Sequence, residues 1–176
     1  MTARDFRSSL PLASAGKPGD QPKPHVLIIE ARFYEDIADE LARGAIQELD
    51  SRGATWRRVT VPGAFEIPAA IRSAIGSMEY PPVRERFNGY VALGCVIRGE
   101  TSHYDYVCGE SARGINDLAM RFTVAIGYGI LTVETIEQAW ERAKVDGRNH
   151  GGRAAKAAMD LIELKKSFGL FPRLQD

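Results

Sequence analysis

Cysteine is nearly absent from this 176-residue sequence, in which Cys95 and Cys108 are the whole complement. Two thiols cannot hold a zinc quartet, and their spacing is not C-x-x-C. A disulfide scaffold is therefore excluded, and the chain reads as one suited to a reducing, cytoplasmic compartment with free thiols. An excess of one charge is also lacking. Lys+Arg and Asp+Glu both number 23, for a formal net charge of zero, so there is no overall pull toward nucleic acid or an anionic membrane surface. No apolar run approaches the roughly 18 residues that a membrane span requires. Nor is there a G-x-x-x-x-G-K-[ST] loop, and Gly127-Tyr128-Gly129, the nearest approach to a dinucleotide fingerprint, lacks its third glycine and leads into more strand. Nucleotide-phosphate loops are disfavoured.

What remains is an ordinary globular composition, 44% hydrophobic and 26% charged, in a length that suits one domain. Residues 1–24 contain Pro11, Pro18, Pro22 and Pro24 with little periodicity, and are expected to form a flexible tail ahead of a domain over 25–170. Leu10-Pro11-Leu12-Ala13 is too short and interrupted for a secretory h-region.

From His25 onward, apolar runs alternate with helical patterns. Val26-Leu27-Ile28-Ile29 is continuous, as expected for a parallel strand buried on both faces. Ile37, Leu41, Ala45 and Leu49 then recur every fourth residue, with Glu35 and Asp36 in the first turn and Gly53 past the end, predicting a helix over 34–52. The cycle continues as strand 54–61, helix 66–78, strand 89–97, helix 103–120, strand 122–131, helix 134–145 and helix 150–168. Such alternation places helices on both faces of a parallel sheet. The expected fold is α/β, a three-layer sandwich around a flavodoxin-like four-stranded parallel sheet of order 2-1-3-4, with its ligand site outside the strand ends at the switch point between the first and third strands.

The chemistry-bearing residues cluster at those ends. Arg98-Gly99-Glu100-Thr101-Ser102-His103 is a glycine loop opening a helix, which offers backbone N–H groups, a hydroxyl and a positive dipole end to a small phosphate; alternatively, Thr101 or Ser102 only caps the helix. His103, at the same mouth, is a candidate proton carrier or an exposed helix-start histidine. Phe33 and Tyr34, just beyond the first strand, either stack on a flat heterocycle or plug the helix end. Val61-Pro62-Gly63-Ala64-Phe65-Glu66-Ile67-Pro68 is a stiff turn carrying one carboxylate, which either faces a polar ligand or complements a helix start. Arg142 is a forked phosphate ligand or a solvated helix arginine. His103 and Cys108, five residues apart on a helix, point away from each other and cannot pair.

Together, Ala31-Arg32-Phe33, Pro62 to Pro68, Gly99-Glu100-Thr101-Ser102-His103-Tyr104-Asp105-Tyr106-Val107 and Gly129-Ile130-Leu131-Thr132-Val133-Glu134 with Gln138, Ala139 and Arg142 resemble the lumazine synthase family over residues 25–168. The resemblance implies a transferase that condenses 5-amino-6-ribitylaminouracil with 3,4-dihydroxy-2-butanone 4-phosphate to 6,7-dimethyl-8-ribityllumazine, the penultimate step of riboflavin biosynthesis, with no metal or organic cofactor. It assigns Phe33, Ala64, Phe65, Glu66, Cys95, Val96, Ile97 and Tyr128 to the pyrimidine and its ribityl chain. Glu100, Thr101 and Arg142 are assigned to the phosphate, and His103 to proton transfer. Tyr34 stands where many members have Asn, Tyr128 where Phe is usual, and His150 where a Lys often contacts the heterocycle.

The resemblance further implies a homo-oligomer with sites between neighbouring subunits, to which Tyr128 and Arg142 would be supplied across the contact. A pentamer or decamer is favoured over a sixty-subunit shell, because Lys144-Val145-Asp146-Gly147-Arg148-Asn149 lacks the turn pattern associated with shells. A riboflavin synthase is a candidate partner, and nucleic acid and membrane are not expected ones. The competing reading is a lumazine- or flavin-binding oligomer without turnover. Gly109 and Gly114 within helix 103–120 imply close helix packing, expected around a subunit axis.

Overall fold

The computed structural model describes residues 22–83 and 85–170, so nearly all of the expected tail lies outside the described residues. The elements run β1 (His25–Ala31), α1 (Glu35–Ser51), β2 (Thr55–Val61), a 3-10 turn (Ala64–Glu66) leading into α2 (Ile67–Ser77), β3 (Gly89–Ile97), α3 (His103–Phe122), β4 (Ala125–Val133), α4 (Ile136–Ala143) and α5 (His150–Ser167). All strand pairings are parallel and the order is β2-β1-β3-β4, the expected flavodoxin-like arrangement.

Alternation along each strand sorts side chains between two layers. Val26, Ile28, Val91, Leu93 and Leu131 meet α1, α4 and α5 on one face. Leu27, Ile29, Tyr90, Ala92 and Ile130 meet α2 and α3 on the other. The four-residue stripe of α1 is fully used: Ile37, Leu41, Ala45 and Leu49 are all 0–1% exposed.

The fourth unit departs most from its predicted bounds. The strand expected over 122–131 begins only at Ala125, because α3 continues through Phe122 and Thr123 then adopts a left-handed conformation (φ 51°), donating its N–H to the Ala119 carbonyl. The next helix starts at Ile136 rather than 134, with Thr135 as N-cap accepting from the Gln138 amide at 3.3 Å. It ends at Ala143 because Lys144 is extended.

The glycines of β4 serve packing. A Cβ at Gly127 would collide with the Ala154 backbone carbonyl, and one at Gly129 would lie 2.9 Å from the Ala154 side chain and 2.8 Å from Leu93. α5 thus crosses the sheet at a distance that no larger residue permits. Gly114 approaches Pro68 of α2 to the point where a Cβ would sit 3.0 Å from its ring, so its close contact lies within the chain. Gly109 has open space around it. Of the 20 residues of α3 only Ser111 and Ile115 are buried, while Tyr106 and Met120 stand out 67% and 77% exposed.

Candidate active site

A cavity of about 430 Å³ opens at the carboxyl ends of β1 and β3, within the size range of small-molecule sites. Three consecutive β-to-α connections build it. The first carries Phe33, 74% exposed, with its ring edge-on to Tyr34 at 5.0 Å between centroids. The second contributes Gly63, Ala64, Phe65 and Glu66. The Glu66 carboxylate folds back over its glycine, to within 3.0 Å of where a Cβ at position 63 would lie. The end of β3 forms the floor through Cys95, Val96 and Ile97. Gly99, Thr101 and His103 close the far side, joined by Tyr104 and Val107 one turn further along α3.

The start of α3 is open to an anion. Ser102, the N-cap residue, makes no side-chain capping bond. Thr101 only partly fills the role, since its hydroxyl accepts from the His103 amide at a long 3.4 Å. The expectation that one of these residues simply caps the helix is thus not met for Ser102 and is weakly met for Thr101. First-turn amides held by at most one long side-chain bond, beside a hydroxyl whose own proton is available to donate, are the elements of a phosphate cradle.

Arg98 braces that loop. Its guanidinium bonds Glu134 at 2.9 Å and Asp105 at 3.2 Å, stacks on Tyr104 at 4.0 Å, and is held firmly protonated by Glu134 and Asp105, while its amide donates to the Val133 carbonyl at 2.9 Å. With two carboxylates satisfied it is a strut. The thiols are inert. Burial, with a smaller contribution from Cys108, pushes the Cys95 thiol up to about 12, and burial likewise raises Cys108, so neither supplies a thiolate nucleophile near neutral pH.

Phe33, Ala64, Phe65, Glu66, Cys95, Val96, Ile97, Thr101 and His103 therefore share one cavity. Glu100, Tyr128 and Arg142 are not among its lining residues. Glu100 is exposed on the same loop. Tyr128 projects from β4 on the α3 face, 41% exposed, its phenol pushed up by burial despite a bond to Ser111. Arg142 lies on α4, in the opposite layer, and donates to its own Gln138 carbonyl at 3.0 Å. Tyr34, a stacking candidate in the sequence, also lines the cavity, as do Tyr104 and Val107, which no role anticipated although they lie three residues apart on one face of α3.

Against this geometry, the 6,7-dimethyl-8-ribityllumazine synthase family matches residues 23–166. The chain is 55% identical over 147 residues to the 6,7-dimethyl-8-ribityllumazine synthase of Bartonella tribocorum, covering 84% of this chain and 93% of that one. It is 52% identical to that of Agrobacterium fabrum, covering 84% and 98%, and 53% identical to 6,7-dimethyl-8-ribityllumazine synthase 1 of Rhizobium meliloti, covering 82% and 94%.

The chain belongs to the 6,7-dimethyl-8-ribityllumazine synthase family. Lumazine synthase is thus the activity on which the cavity is to be read, a transferase step of riboflavin biosynthesis. No helix among the described residues is long and apolar enough to cross a membrane.

His150, noted above beside the resemblance, has a measurable signature. His150 opens α5, and burial, followed by the nearby charges of Arg153, Arg142 and Arg148, lowers its pKa below 6.5. A histidine depressed in the folded state leaves the unfolded chain binding more protons as the pH falls, so its contribution is intact above its unfolded pKa and is lost as pH drops through the folded one. Stability is expected to fall on acidification through the histidine range, and His150→Gln to flatten that slope in denaturant titrations at several pH values. An unchanged slope would place the pH dependence elsewhere.

Proposed function

We propose that this cavity aligns 5-amino-6-ribitylaminouracil and 3,4-dihydroxy-2-butanone 4-phosphate and releases 6,7-dimethyl-8-ribityllumazine, phosphate and water. The observation that carries the reading is that an aromatic platform at the first junction and, at the third, a helix start whose N-cap side chain makes no capping bond line a single cavity. Phe33 stacks on the pyrimidine, while the Ala64-Phe65-Glu66 turn and the Cys95-Val96-Ile97 strand end bind its edge and ribityl chain. The backbone of the Glu100-Thr101 loop, with the Thr101 hydroxyl, holds the phosphate, and His103 moves protons. The substrate's own amine attacks the ketone carbonyl, so the protein's task is to align two molecules, stabilise the departing phosphate and relay protons.

Tyr128 and Arg142 are assigned to the cavity of a neighbouring subunit. Their absence from the cavity of their own chain supports this, as does the exposed apolar surface that α3 carries with so few buried residues. A pentamer or a decamer of two pentamers fits the turn at 144–149 better than a shell does, and a riboflavin synthase that consumes the product is the proposed partner. The direct experiment mixes the purified protein with both substrates and follows lumazine fluorescence. The expected result is a rate well above the uncatalysed mixture, and a rate equal to that mixture would overturn the reading.

A further inference from the structure

Glu30 is the only charged residue buried among the described residues, with no solvent exposure at all. It sits near the end of β1, three residues before Phe33, on the face covered by α1. Its carboxylate receives Arg58 in a fork, Nε at 2.5 Å and Nη2 at 2.8 Å, and Arg32 Nη1 lies 3.5 Å away. Arg32 also bonds Asp39 of α1 at 2.6 Å, and Arg58 comes within 3.8 Å of the same carboxylate. Two arginines thus face two carboxylates. The contacts hold both arginines protonated, Arg32 mainly through Asp39 and Arg58 mainly through Glu30, and Arg32 in turn keeps Asp39 ionised below the usual carboxylate range.

Stability alone does not account for such a group at a strand end. A buried ion pair is often matched or bettered by apolar side chains of similar size, because desolvation offsets the attraction. What the network adds is direction. A forked arginine–carboxylate contact fixes orientation as well as distance. Arg32 belongs both to the network and to the turn between β1 and α1, where its amide bonds the Val61 carbonyl at 3.2 Å. The next residue is Phe33, whose ring is mostly in solvent and touches Tyr34 edge-on. With so little packing of its own, the platform takes its orientation from the backbone that Arg32 holds.

We propose that Glu30 and Arg58 are positioning residues: through Arg32 they fix the turn that presents Phe33 to the pyrimidine. The inference rests on the functional reading above and adds to it a determinant of pyrimidine binding that lies outside the cavity. The test compares wild type, Glu30→Gln, Arg58→Met and the double variant Glu30→Leu/Arg58→Met as assembled protein. Each substrate is varied in turn, and equilibrium binding of the pyrimidine alone is measured beside the melting temperature.

The single variants are expected to weaken pyrimidine binding and raise its KM by about three- to tenfold, the worth of a well-placed aromatic contact, with the butanone-phosphate KM unmoved. The double variant, which buries no charge, is expected to recover the wild-type melting temperature and still keep the pyrimidine defect. A double variant that binds pyrimidine like wild type, or losses that fall equally on both substrates, would overturn the proposal. Wild-type protein that binds pyrimidine but forms no lumazine would overturn the functional reading alone, and the binding comparison would still decide this one.

Discussion

Replacing Arg142 by alanine is expected to raise the butanone-phosphate KM and to lower kcat/KM by about 2–5 kcal/mol, the range for removing one member of a desolvated charge pair. Within its own chain Arg142 spends one donor on the Gln138 carbonyl and lies 3.6 Å from Glu141, on a helix none of whose residues lines the cavity. Neither contact accounts for a large kinetic effect. On the proposed reading the loss comes from a cavity on another subunit, and mixing tests it. Arg142→Ala chains and chains carrying both Phe33→Ala and His103→Ala, each strongly impaired alone, are expected to regain activity when unfolded and reassembled together, because about a quarter of randomly formed heterologous contacts would pair an intact Phe33–His103 side with an intact Arg142 side. Arg142→Ala protein with wild-type kinetics would mean that the guanidinium faces solvent in the assembly. A large loss that mixing does not relieve would place Arg142 and Phe33 in the same cavity of one chain.

The same division explains which parts of the molecule were legible in the sequence. Patterns that repeat within one element were readable: the continuous run of β1 and the spacing-four stripe of α1 predict those elements to within a residue or so. Loops that follow strand ends were readable as site elements because a parallel sheet gathers them at one edge, as the shared cavity of Phe33, Glu66, Thr101 and His103 shows. Features that depend on one backbone conformation or on a distant partner were not. Phe122-Thr123-Val124 has strand-like composition, yet a single left-handed Thr123 separates helix from strand there. Gly127 and Gly129 look like a degraded nucleotide loop until α5 is laid across them. Glu30 looks like the polar end of a strand, since its partner Arg58 lies 28 residues away and meets it only through the β1–β2 register. Tyr128 and Arg142 stand outside the cavity of their own chain, and the place proposed for them depends on a second copy of the chain.

Replacing His103 by alanine is expected to lower kcat by up to about 100-fold, at or below the bottom of the ~10²–10⁴-fold range for general acid–base help. The limit follows from what the reaction needs. The nucleophile is the substrate's own amine, and most of the acceleration comes from holding two reactants together, which the Phe33 platform and the phosphate cradle continue to do without the imidazole. The variant also permits a clean reading, because His103 is exposed and no side chain among the described residues bonds its ring; the contact of Thr101 with the His103 backbone amide at 3.4 Å survives the substitution. The melting temperature is therefore expected to stay at the wild-type value, and both substrates to keep their KM. Added imidazole should restore part of the rate, since the cavity lies open beside the vacated side chain. Unaltered turnover in His103→Ala protein would remove the histidine from the mechanism. A loss beyond about 10⁴-fold would exceed what proton transfer supplies, and would make His103 part of the phosphate cradle itself.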